Sequence, residues 1–246
     1  MKYQVNAKFA QCSSLLTVIE SEFERSDCIL QEGRNTIKKI QYNGTELVVK
    51  SFKKPNFINR IMYSFFRESK AKRSYQYSLK ISKFVPEAIA FIECHQSGLI
   101  ANSYFICEYF DYDLTIRAPL IDSSYPDREV IYKAFAKFTF ELHQQGIYHR
   151  DYSPGNILIK RLNGSYQFKI IDLNRMDFKV LSFSDRMRNF AMLWASDLDL
   201  DLIVQEYARL AGLQQSKCQQ LAQSYNHKNK RLKNFKKRLK GKPVND

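Results

Sequence analysis

The first half of the chain contains short runs in which hydrophobic and polar residues alternate, the pattern of half-buried β-strands. Between two of these runs lies Asn43-Gly44, the residue pair that favours a tight hairpin turn. A longer stretch with a polar, basic face precedes two apolar, aromatic runs and has a helical character. The pattern therefore predicts, in chain order, strands at 28–33, 36–42 and 45–52, a connection at 53–61, a helix at 67–82, and strands at 88–93 and 99–110.

The second half has a different character. Residues 128–145 repeat apolar positions with a helical period, and Gly146 follows, a residue type that commonly ends helices. Two short β-type runs at 156–161 and 166–173 flank an Asn-Gly pair, and the chain from about Ser182 onward has a helical pattern. The sequence thus predicts an α+β protein, with its sheet in the first half and most helices in the second.

The composition fits a compact protein of 246 residues, since 44% of them are hydrophobic and 14% aromatic, enough for a sizeable core. The five cysteines are odd in number and none has the close spacing of a zinc or redox pair, so we expect reduced thiols. No run approaches the roughly 18 apolar residues of a membrane-spanning helix. The N-terminus lacks the apolar stretch of a secretory signal. These features predict a soluble, cytoplasmic protein.

Basic residues dominate the charge, and the formal net charge is +14. Such a field attracts polyanions, including nucleotides, nucleic acids and anionic membranes, without choosing among them. The strongest concentration is 228–242, where nine of fifteen residues are Lys or Arg and Leu232, Phe235 and Leu239 fall on one helical stripe. Two interpretations stay open: a terminal helix docked on the protein through that stripe, or a helix lying on an anionic membrane surface.

The segment Ile147–Ile159 carries the most specific chemical pattern in the chain. It reads IYHRDYSPGNILI, which matches the kinase catalytic-loop pattern H-R-D-x-x-x-x-N without a gap. The strand after the Asn163-Gly164 turn then leads to Asp172, where kinases carry a metal-binding aspartate. Order, spacing and the helix–loop–hairpin setting together indicate the protein-kinase-like fold.

Phosphoryl transfer explains why these residue types occur at this spacing. The transferred group spreads negative charge over its oxygens, so catalysis depends on positioning and charge neutralisation. Asp151 is expected to orient the attacking hydroxyl and to accept its proton. Asn156 and Asp172 offer the hard oxygen ligands that Mg²⁺ prefers. We therefore predict Asp151 as a catalytic residue and Asn156 and Asp172 as metal ligands.

Nucleotide-binding residues are predicted in the first half of the chain. Leu47–Lys50 reads LVVK and places Lys50 on the third strand, where the kinase lysine pairs with the α- and β-phosphates of ATP. The apolar run that ends in Glu108, Tyr109 and Phe110 would lead to the hinge, whose backbone groups bond the adenine. Lys50 is thus predicted to act in both catalysis and ATP binding.

Within the kinase-like superfamily, the chain resembles the lipopolysaccharide kinase family, the Kdo and heptose kinases of Gram-negative bacteria. The resemblance rests on His149–Leu158 (HRDYSPGNIL) and on Asp172–Met176 (DLNRM). Gly33–Thr36 (GRNT) and Ser69–Ser74 (SKAKRS) add to it. It covers roughly residues 25–195 and is most specific at the catalytic loop.

The resemblance implies a two-lobed fold, with a small antiparallel-sheet N-lobe at 1–108, a reduced, mainly helical C-lobe at 109–227 and a basic tail at 228–246. It further implies an ATP- and Mg²⁺-dependent kinase that phosphorylates a Kdo or heptose hydroxyl of the lipopolysaccharide inner core. Because that glycolipid is assembled on the cytoplasmic leaflet, a peripheral protein at the inner face of the inner membrane is expected. A cationic tail suits contact with this anionic surface, and no nucleic-acid partner is expected.

Several departures from the kinase pattern limit the resemblance. No G-x-G-x-x-G loop is present, so the backbone at Gly33 and the Arg34 side chain are expected to cover the phosphates. The helix acid that should pair with the strand lysine falls at Gln76, whose amide lacks the strength of a carboxylate, and Glu68 is the candidate substitute. No A-P-E motif follows, and only 74 residues remain after Asp172, which disfavours a protein substrate.

Three other functions stay open at this point. Gln76 and the sparse glycine loop favour a pseudokinase, the same fold used as an ATP-binding module, whereas Lys50, Asp151, Asn156 and Asp172 favour an enzyme. A phosphotransferase of the aminoglycoside or choline kind is disfavoured, because few acidic residues near the catalytic loop could hold a cationic substrate. Nucleic-acid binding through the tail has no motif behind it beyond charge.

Overall fold

The computed structural model describes residues 1–241 and 243, so residues 242 and 244–246 of the predicted basic tail lie outside the described residues. The chain divides into two compact units, 1–111 and 112–246. Unit 1 contains β1 (Lys2–Val5), α1 (Leu15–Arg25), β2 (Ile29–Gln31), β3 (Asn35–Tyr42), β4 (Thr45–Phe52), α2 (Phe57–Ile61), α3 (Lys70–Lys80), β5 (Ala88–Gln96) and β6 (Leu99–Glu108). Unit 2 contains β7 (Leu114–Thr115), α4 (Arg117–Ile121), α5 (Arg128–Gln144), β8 (Ile147–His149), β9 (Ile157–Leu162), β10 (Ser165–Ile170), β11 (Met176–Phe178), α6 (Phe183–Phe190), α7 (Asp197–Ala211) and α8 (Gln215–Arg238).

The sheet of unit 1 has six strands in the order β1-β5-β6-β4-β3-β2, all paired antiparallel. The five predicted strands are confirmed, and both residues of the Asn43-Gly44 turn have positive φ. The sequence did not predict β1 or α1. Three of the four residues of β1 are exposed, and its position comes from pairing with β5, so its own pattern carries little signal.

Both faces of this sheet are covered, as the alternation along its strands requires. On one face Leu15 and Ile19 of α1 belong to the same buried cluster as Val49 of β4. On the other face Tyr75 of α3 packs against Phe91 of β5, with ring centroids 5.4 Å apart. The two helices therefore bury opposite sides of the central strands.

The segment between β4 and α3 differs from its prediction. The sequence predicts a connection and a helix from residue 67, but α2 is followed by a π-helical turn at Met62–Phe66. Helix α3 begins at Lys70, because the Ser69 hydroxyl accepts a hydrogen bond from the Lys72 amide and caps the helix there. Four large apolar side chains of this segment are 65–72% exposed: Phe57, Ile58, Phe65 and Phe66.

Unit 2 is built around α5, which packs against α7 and β10. The predicted hairpin is confirmed, since β9 and β10 pair in register on either side of the Asn163-Gly164 turn. Gly146 follows α5 with a φ of +69°, and a Cβ there would lie 2.6 Å from the Lys179 carbonyl oxygen. Both its backbone conformation and its surroundings therefore require glycine.

The basic C-terminal segment continues α8, a helix of 24 residues that contacts α6 and α7. It docks through a face that includes the buried Cys218 and Ala222. The outer stripe, consisting of Leu232, Phe235 and Leu239, is 51–71% exposed, so the interpretation in which this stripe docks the helix is wrong. Among the described residues, no helix combines the length and apolar character that a membrane span needs.

Candidate active site

The segment that matches the kinase catalytic loop is held between two short sheets of unit 2. Strand β8 ends at His149, which pairs with Met176 of β11, and the loop then runs into β9, which lies between β10 and β7. The Arg150 amide donates to the Arg175 carbonyl at 2.8 Å, and Arg150 Nε donates to the Asp177 carboxylate at 2.7 Å. Strand pairing therefore fixes the loop at both ends.

His149 is buried and joins the loop to the strand that leads to Asp172. Its Nδ1 accepts a hydrogen bond from the Asp151 amide at 3.1 Å, so its proton must lie on Nε2, which donates to the Ile171 carbonyl at 3.0 Å. Burial lowers the pKa of His149 and so favours this neutral form. One side chain thereby links the two backbone segments that carry the predicted acidic residues.

A buried chain of hydrogen bonds behind the loop was not apparent from the sequence. Asn189 of α6 donates to the His149 carbonyl at 2.8 Å and accepts from His143 Nε2 at 3.0 Å. His143 Nδ1 lies 2.9 Å from the Tyr207 hydroxyl, and burial lowers the pKa of His143 to about 4. The only available signal is that polar residues occupy otherwise apolar helix faces. These hydrogen bonds support the catalytic loop from three helices, α5, α6 and α7.

Asp151, Asn156 and Asp172 belong to one connected piece of unit 2. Asn156 Nδ2 donates to the Asp151 carbonyl at 2.9 Å, and the Ile171 amide donates to the Asn156 carbonyl at 3.0 Å. Asp172 has a φ of +61°, a conformation that aspartate adopts more readily than most residues and that often marks a functional position. The catalytic and metal-binding roles of these residues stay predictions.

The donor atoms at this place suit Mg²⁺. The Asn156 amide nitrogen is used by Asp151, which leaves the amide oxygen as the atom for a metal. With the Asp172 carboxylate it makes two hard oxygen donors, the ligand type that Mg²⁺ takes together with water and phosphate oxygens. The described residues contain no group of three or more His, Cys, Asp or Glu that could hold a metal ion. The predicted donor set is therefore a pair.

Cationic side chains approach the Asp151 carboxylate. Arg175 Nη1 lies 3.5 Å from Asp151 Oδ2. Burial lowers the pKa of Lys233 on α8, and the negative charge of the same carboxylate raises it. Arg117 packs over Gly155 in the loop, where a Cβ would lie 3.1 Å from Arg117 Nη2. The sequence assigns Lys233 to the tail, because only the packing of α8 brings it back to the catalytic loop.

The predicted ATP-binding side chains of unit 1 lie on β4 and α3. Lys50 Nζ is 5.4 Å from the Phe52 ring centroid. Gln76 Nε2 donates to Glu68 Oε1 at 2.9 Å, and Lys72 Nζ lies 3.2 Å from the same carboxylate. Burial alone would raise the pKa of Glu68, but these two hydrogen bonds hold it below its ordinary value. Gln76 and Glu68 thus pair with each other through the Gln76 amide nitrogen.

Gly33 and Arg34 form an exposed bend between β2 and β3. No atom lies within 4 Å of the place where a Gly33 Cβ would stand, so the bend does not need glycine for space. A phosphate could approach this backbone without meeting a side chain at Gly33. Whether the bend covers a nucleotide stays a prediction.

The predicted hinge residues come at the end of β6. The amide of Glu108 donates to the Glu87 carbonyl at 2.9 Å, and that of Tyr109 donates to the Glu46 carbonyl at 3.0 Å. These two amides are therefore engaged inside unit 1. Phe110 supplies the next amide along the chain.

Comparisons with known proteins agree with this picture. The family model described as the lipopolysaccharide kinase (Kdo/WaaP) family matches residues 64–213, more than half of the chain. A solved structure of WaaP in complex with acyl carrier protein is similar with a TM-score of 0.62 and 14% identity, over 94% of this chain and 99% of that one. No curated protein sequence matches. The predicted α+β, protein-kinase-like fold and the family resemblance are confirmed.

Proposed function

The chain belongs to the lipopolysaccharide kinase (Kdo/WaaP) family, and on that premise we propose that it transfers the γ-phosphate of ATP to a sugar hydroxyl of the lipopolysaccharide inner core. Membership of this family supports phosphotransferase activity of the kinase class. The observation that carries the proposal is the connected arrangement of Asp151, Asn156 and Asp172 behind which His149 is buried. It supplies a carboxylate for the hydroxyl and an oxygen pair for a metal within one unit.

In this proposal Asp151 accepts a hydrogen bond from the acceptor hydroxyl and takes its proton as the oxygen bonds to the γ-phosphorus and ADP leaves. Mg²⁺, held by Asn156 and Asp172, would neutralise charge on the phosphate oxygens. His149 and Arg150 hold the loop in place before substrate arrives. Prior positioning of this kind lowers the barrier because less freedom is lost during the reaction.

The nucleotide contacts proposed for unit 1 follow from its hydrogen bonds. Lys50 is proposed to pair with the α- and β-phosphates, with the Gly33 backbone and Arg34 as cover. Because the Glu108 and Tyr109 amides are engaged, the Phe110 amide is the donor proposed for adenine. ATP use follows from the kinase family, whereas these individual contacts are proposals.

A Kdo or heptose sugar of the lipid A–core is the proposed acceptor. Its support is the positive surroundings of Asp151, where Arg175 and Lys233 would attract an anionic glycolipid and repel a cationic small molecule. The relative that was solved with acyl carrier protein is WaaP. Acyl carrier protein is for that reason a component to include in assays of this chain.

We also propose peripheral contact with the anionic inner face of the inner membrane. The outer stripe of α8 is exposed and flanked by basic residues, the pattern of helices that lie in a membrane surface. Unit 1 carries a second segment that combines exposed apolar and basic residues. Phe57, Phe65 and Phe66 are exposed, and Lys53 and Lys54 precede them in the sequence. Vesicle flotation tests this: replacing the three apolar residues of the outer stripe by serine should release the protein from anionic vesicles although its charge is unchanged.

The Gln76–Glu68 pair favours a second candidate, a pseudokinase that binds ATP without transferring phosphate. A thermal-shift titration with ATP and Mg²⁺ separates the two candidates when it is combined with ATP turnover. Magnesium-dependent stabilisation without turnover, on inner-core glycolipid with and without acyl carrier protein, would favour the pseudokinase. Turnover that disappears in Asp151→Ala would favour the kinase.

The proposed reaction is tested most directly on the glycolipid itself. Lipid A–core from cells with and without the gene should differ by about 80 daltons, the mass of one phosphate group. Complementation with Asp151→Ala should leave the mass at the lower value while the protein accumulates normally. An identical mass in all three strains would contradict the proposal.

A further inference from the structure

Helix α8 is fastened to the turn that carries Trp194. Asn226 Nδ2 and Lys230 Nζ donate to the Ala195 carbonyl at 3.0 and 2.8 Å, and Asn229 Nδ2 donates to the Ala191 carbonyl at 2.7 Å. These donors come from the inner face of the helix, opposite the outer stripe. Residues 191–195 follow directly on α6, the helix whose Asn189 bonds the catalytic loop. The inner face of α8 is thereby tied to the active site of unit 2.

Two lysines of this inner face lie against the indole ring. Lys233 Nζ is 5.2 Å and Lys237 Nζ 5.9 Å from the centroid of Trp194, within the range of cation–π attraction. The two ammonium groups are one helical turn apart, so they stand side by side on the helix. The ring thus holds two like charges together although they repel each other.

Lys233 is also part of the surroundings of Asp151. Burial lowers its pKa, Lys237 lowers it further, and the Asp151 carboxylate raises it. Arg175 approaches Asp151 from the loop, with 3.5 Å between the guanidinium and the carboxylate. Two cations, Arg175 and Lys233, therefore act on one carboxylate whose proposed role is to meet a hydroxyl, and Lys237 adds a third positive charge beside Lys233. These positive charges outnumber the single negative charge of Asp151, so they can also attract an anionic group on the acceptor that carries the hydroxyl.

We propose that Trp194, Lys233, Lys237 and Arg175 form the acceptor site, in which the lysines bind a carboxylate or phosphate carried by the acceptor sugar. This inference rests on the proposed kinase function and names the part of the substrate that this chain recognises. Binding the anion there would leave a neighbouring sugar hydroxyl beside Asp151. Contact with the indole ring restricts the two lysine side chains, so less side-chain freedom is lost when the anion binds.

The test uses Trp194 as its own reporter, since it is the only tryptophan in the chain. Free Kdo, a sugar acid, is titrated into the full-length protein while tryptophan emission is recorded, with glucose as the uncharged control. We expect a saturable change with Kdo and none with glucose. Lys233→Ala should weaken the binding about tenfold, the usual order for losing one charge-assisted contact.

Matched variants separate a binding role from a structural one. Lys236→Ala removes the same charge from the exposed side of α8 and should bind Kdo as the wild type does. Lys233→Arg keeps the charge and should recover most of the affinity. Equal effects of Lys233→Ala and Lys236→Ala, or no emission change in the wild type, would overturn the proposal.

Kinetic measurements distinguish failure of this site from failure of the kinase. With inner-core glycolipid as acceptor, Lys233→Ala should raise the acceptor KM about tenfold and leave the ATP KM unchanged. Saturable Kdo binding without any phosphate transfer would keep the acceptor site and refute the kinase. Phosphate transfer with an acceptor KM unaffected by Lys233→Ala would keep the kinase and refute the site.

Discussion

The catalytic loop of unit 2 and the proposed nucleotide residues of unit 1 differ in how firmly their own unit holds them. In unit 2 the loop is bonded at both ends, and His149 connects it to the strand before Asp172. In unit 1 Gly33 and Arg34 form an exposed bend, and Gln76 bonds Glu68 through a single amide hydrogen bond.

This difference follows from the chemistry proposed for each region. A carboxylate that takes a proton from a hydroxyl must be placed within hydrogen-bond distance, so small errors in position reduce the rate strongly. Phosphates and adenine can be bound by backbone groups and mobile cations, which tolerate more variation in side chains. We therefore expect substitutions in the catalytic loop and its buried support to have larger effects than those in the bend or on α3.

The largest effect is expected from Asp151→Ala. Without the proton acceptor, kcat should fall by about 10²–10⁴-fold, while the urea midpoint of unfolding stays close to that of the wild type because the Asp151 side chain is partly exposed and its ion pair with Arg175 is long, at 3.5 Å. Phosphate transfer to inner-core glycolipid measures the change. Asp177→Ala, which removes the partner of Arg150 Nε, is the control and should cost far less. A kcat within tenfold of the wild type for Asp151→Ala would contradict the assigned role.

Asn189→Ala tests the buried support of the loop. It leaves the His149 carbonyl and the His143 Nε2 proton without their partner, and each buried unsatisfied group costs about 1–3 kcal/mol. Urea unfolding should therefore show a loss of about 2–6 kcal/mol, with a lower kcat. Asn229→Ala, which breaks a bond outside this chain, is the control. Equal losses of unfolding free energy for the two variants would show that the buried hydrogen bonds behind the loop contribute no more to stability than the bond of Asn229.

Acid should weaken unit 2 through His143. Its pKa is about 4 in the folded protein and 6.5 ordinarily, so the unfolded chain binds the proton first as the pH falls. The contribution of neutral His143 to the unfolding free energy is therefore fully present above pH 6.5. It decreases toward pH 4, by about 3 kcal/mol at most. Unfolding free energies measured across this range give the slope. His143→Gln should lower stability at pH 7 but flatten the slope; an unchanged slope would assign the acid loss to another group.

The smallest effect is expected from Gln76→Glu in unit 1. The new carboxylate would face Glu68, and the repulsion should cost less than about 1 kcal/mol at this partly exposed place. ATP binding, followed by thermal shift, should stay within about twofold of the wild type. A several-fold gain in ATP affinity would instead show that unit 1 lacks only this carboxylate.

The parts of the site that could be predicted are local in the sequence. Asp151 and Asn156 lie in one loop, and Asp172 follows a hairpin whose turn is marked by Asn163-Gly164. The same holds for the central strands of the sheet, where period and turn residues agree. Short-range patterns are sufficient for these features because the backbone between the residues has few alternatives.

The parts that could not be predicted depend on contacts between distant segments. Asn189 and Lys233 reach the catalytic loop only because α6 and α8 pack in unit 2. Strand β1 exists through its pairing with β5, and helix α2 at Phe57–Ile61 lies inside the stretch 53–61 for which the sequence predicts a connection. In each of these cases tertiary packing decides a position that local periodicity leaves open.

Helix α8 makes the spacing of its residues as important as their identity. Its inner face meets Trp194 while its outer stripe faces solvent, and each residue advances the helix by about 100°. One residue inserted after Asn226 would turn Lys233 away from the indole and swing the apolar stripe sideways, without altering the composition or charge of the tail. A change of one residue in the length of α8 would thus displace both surfaces at once.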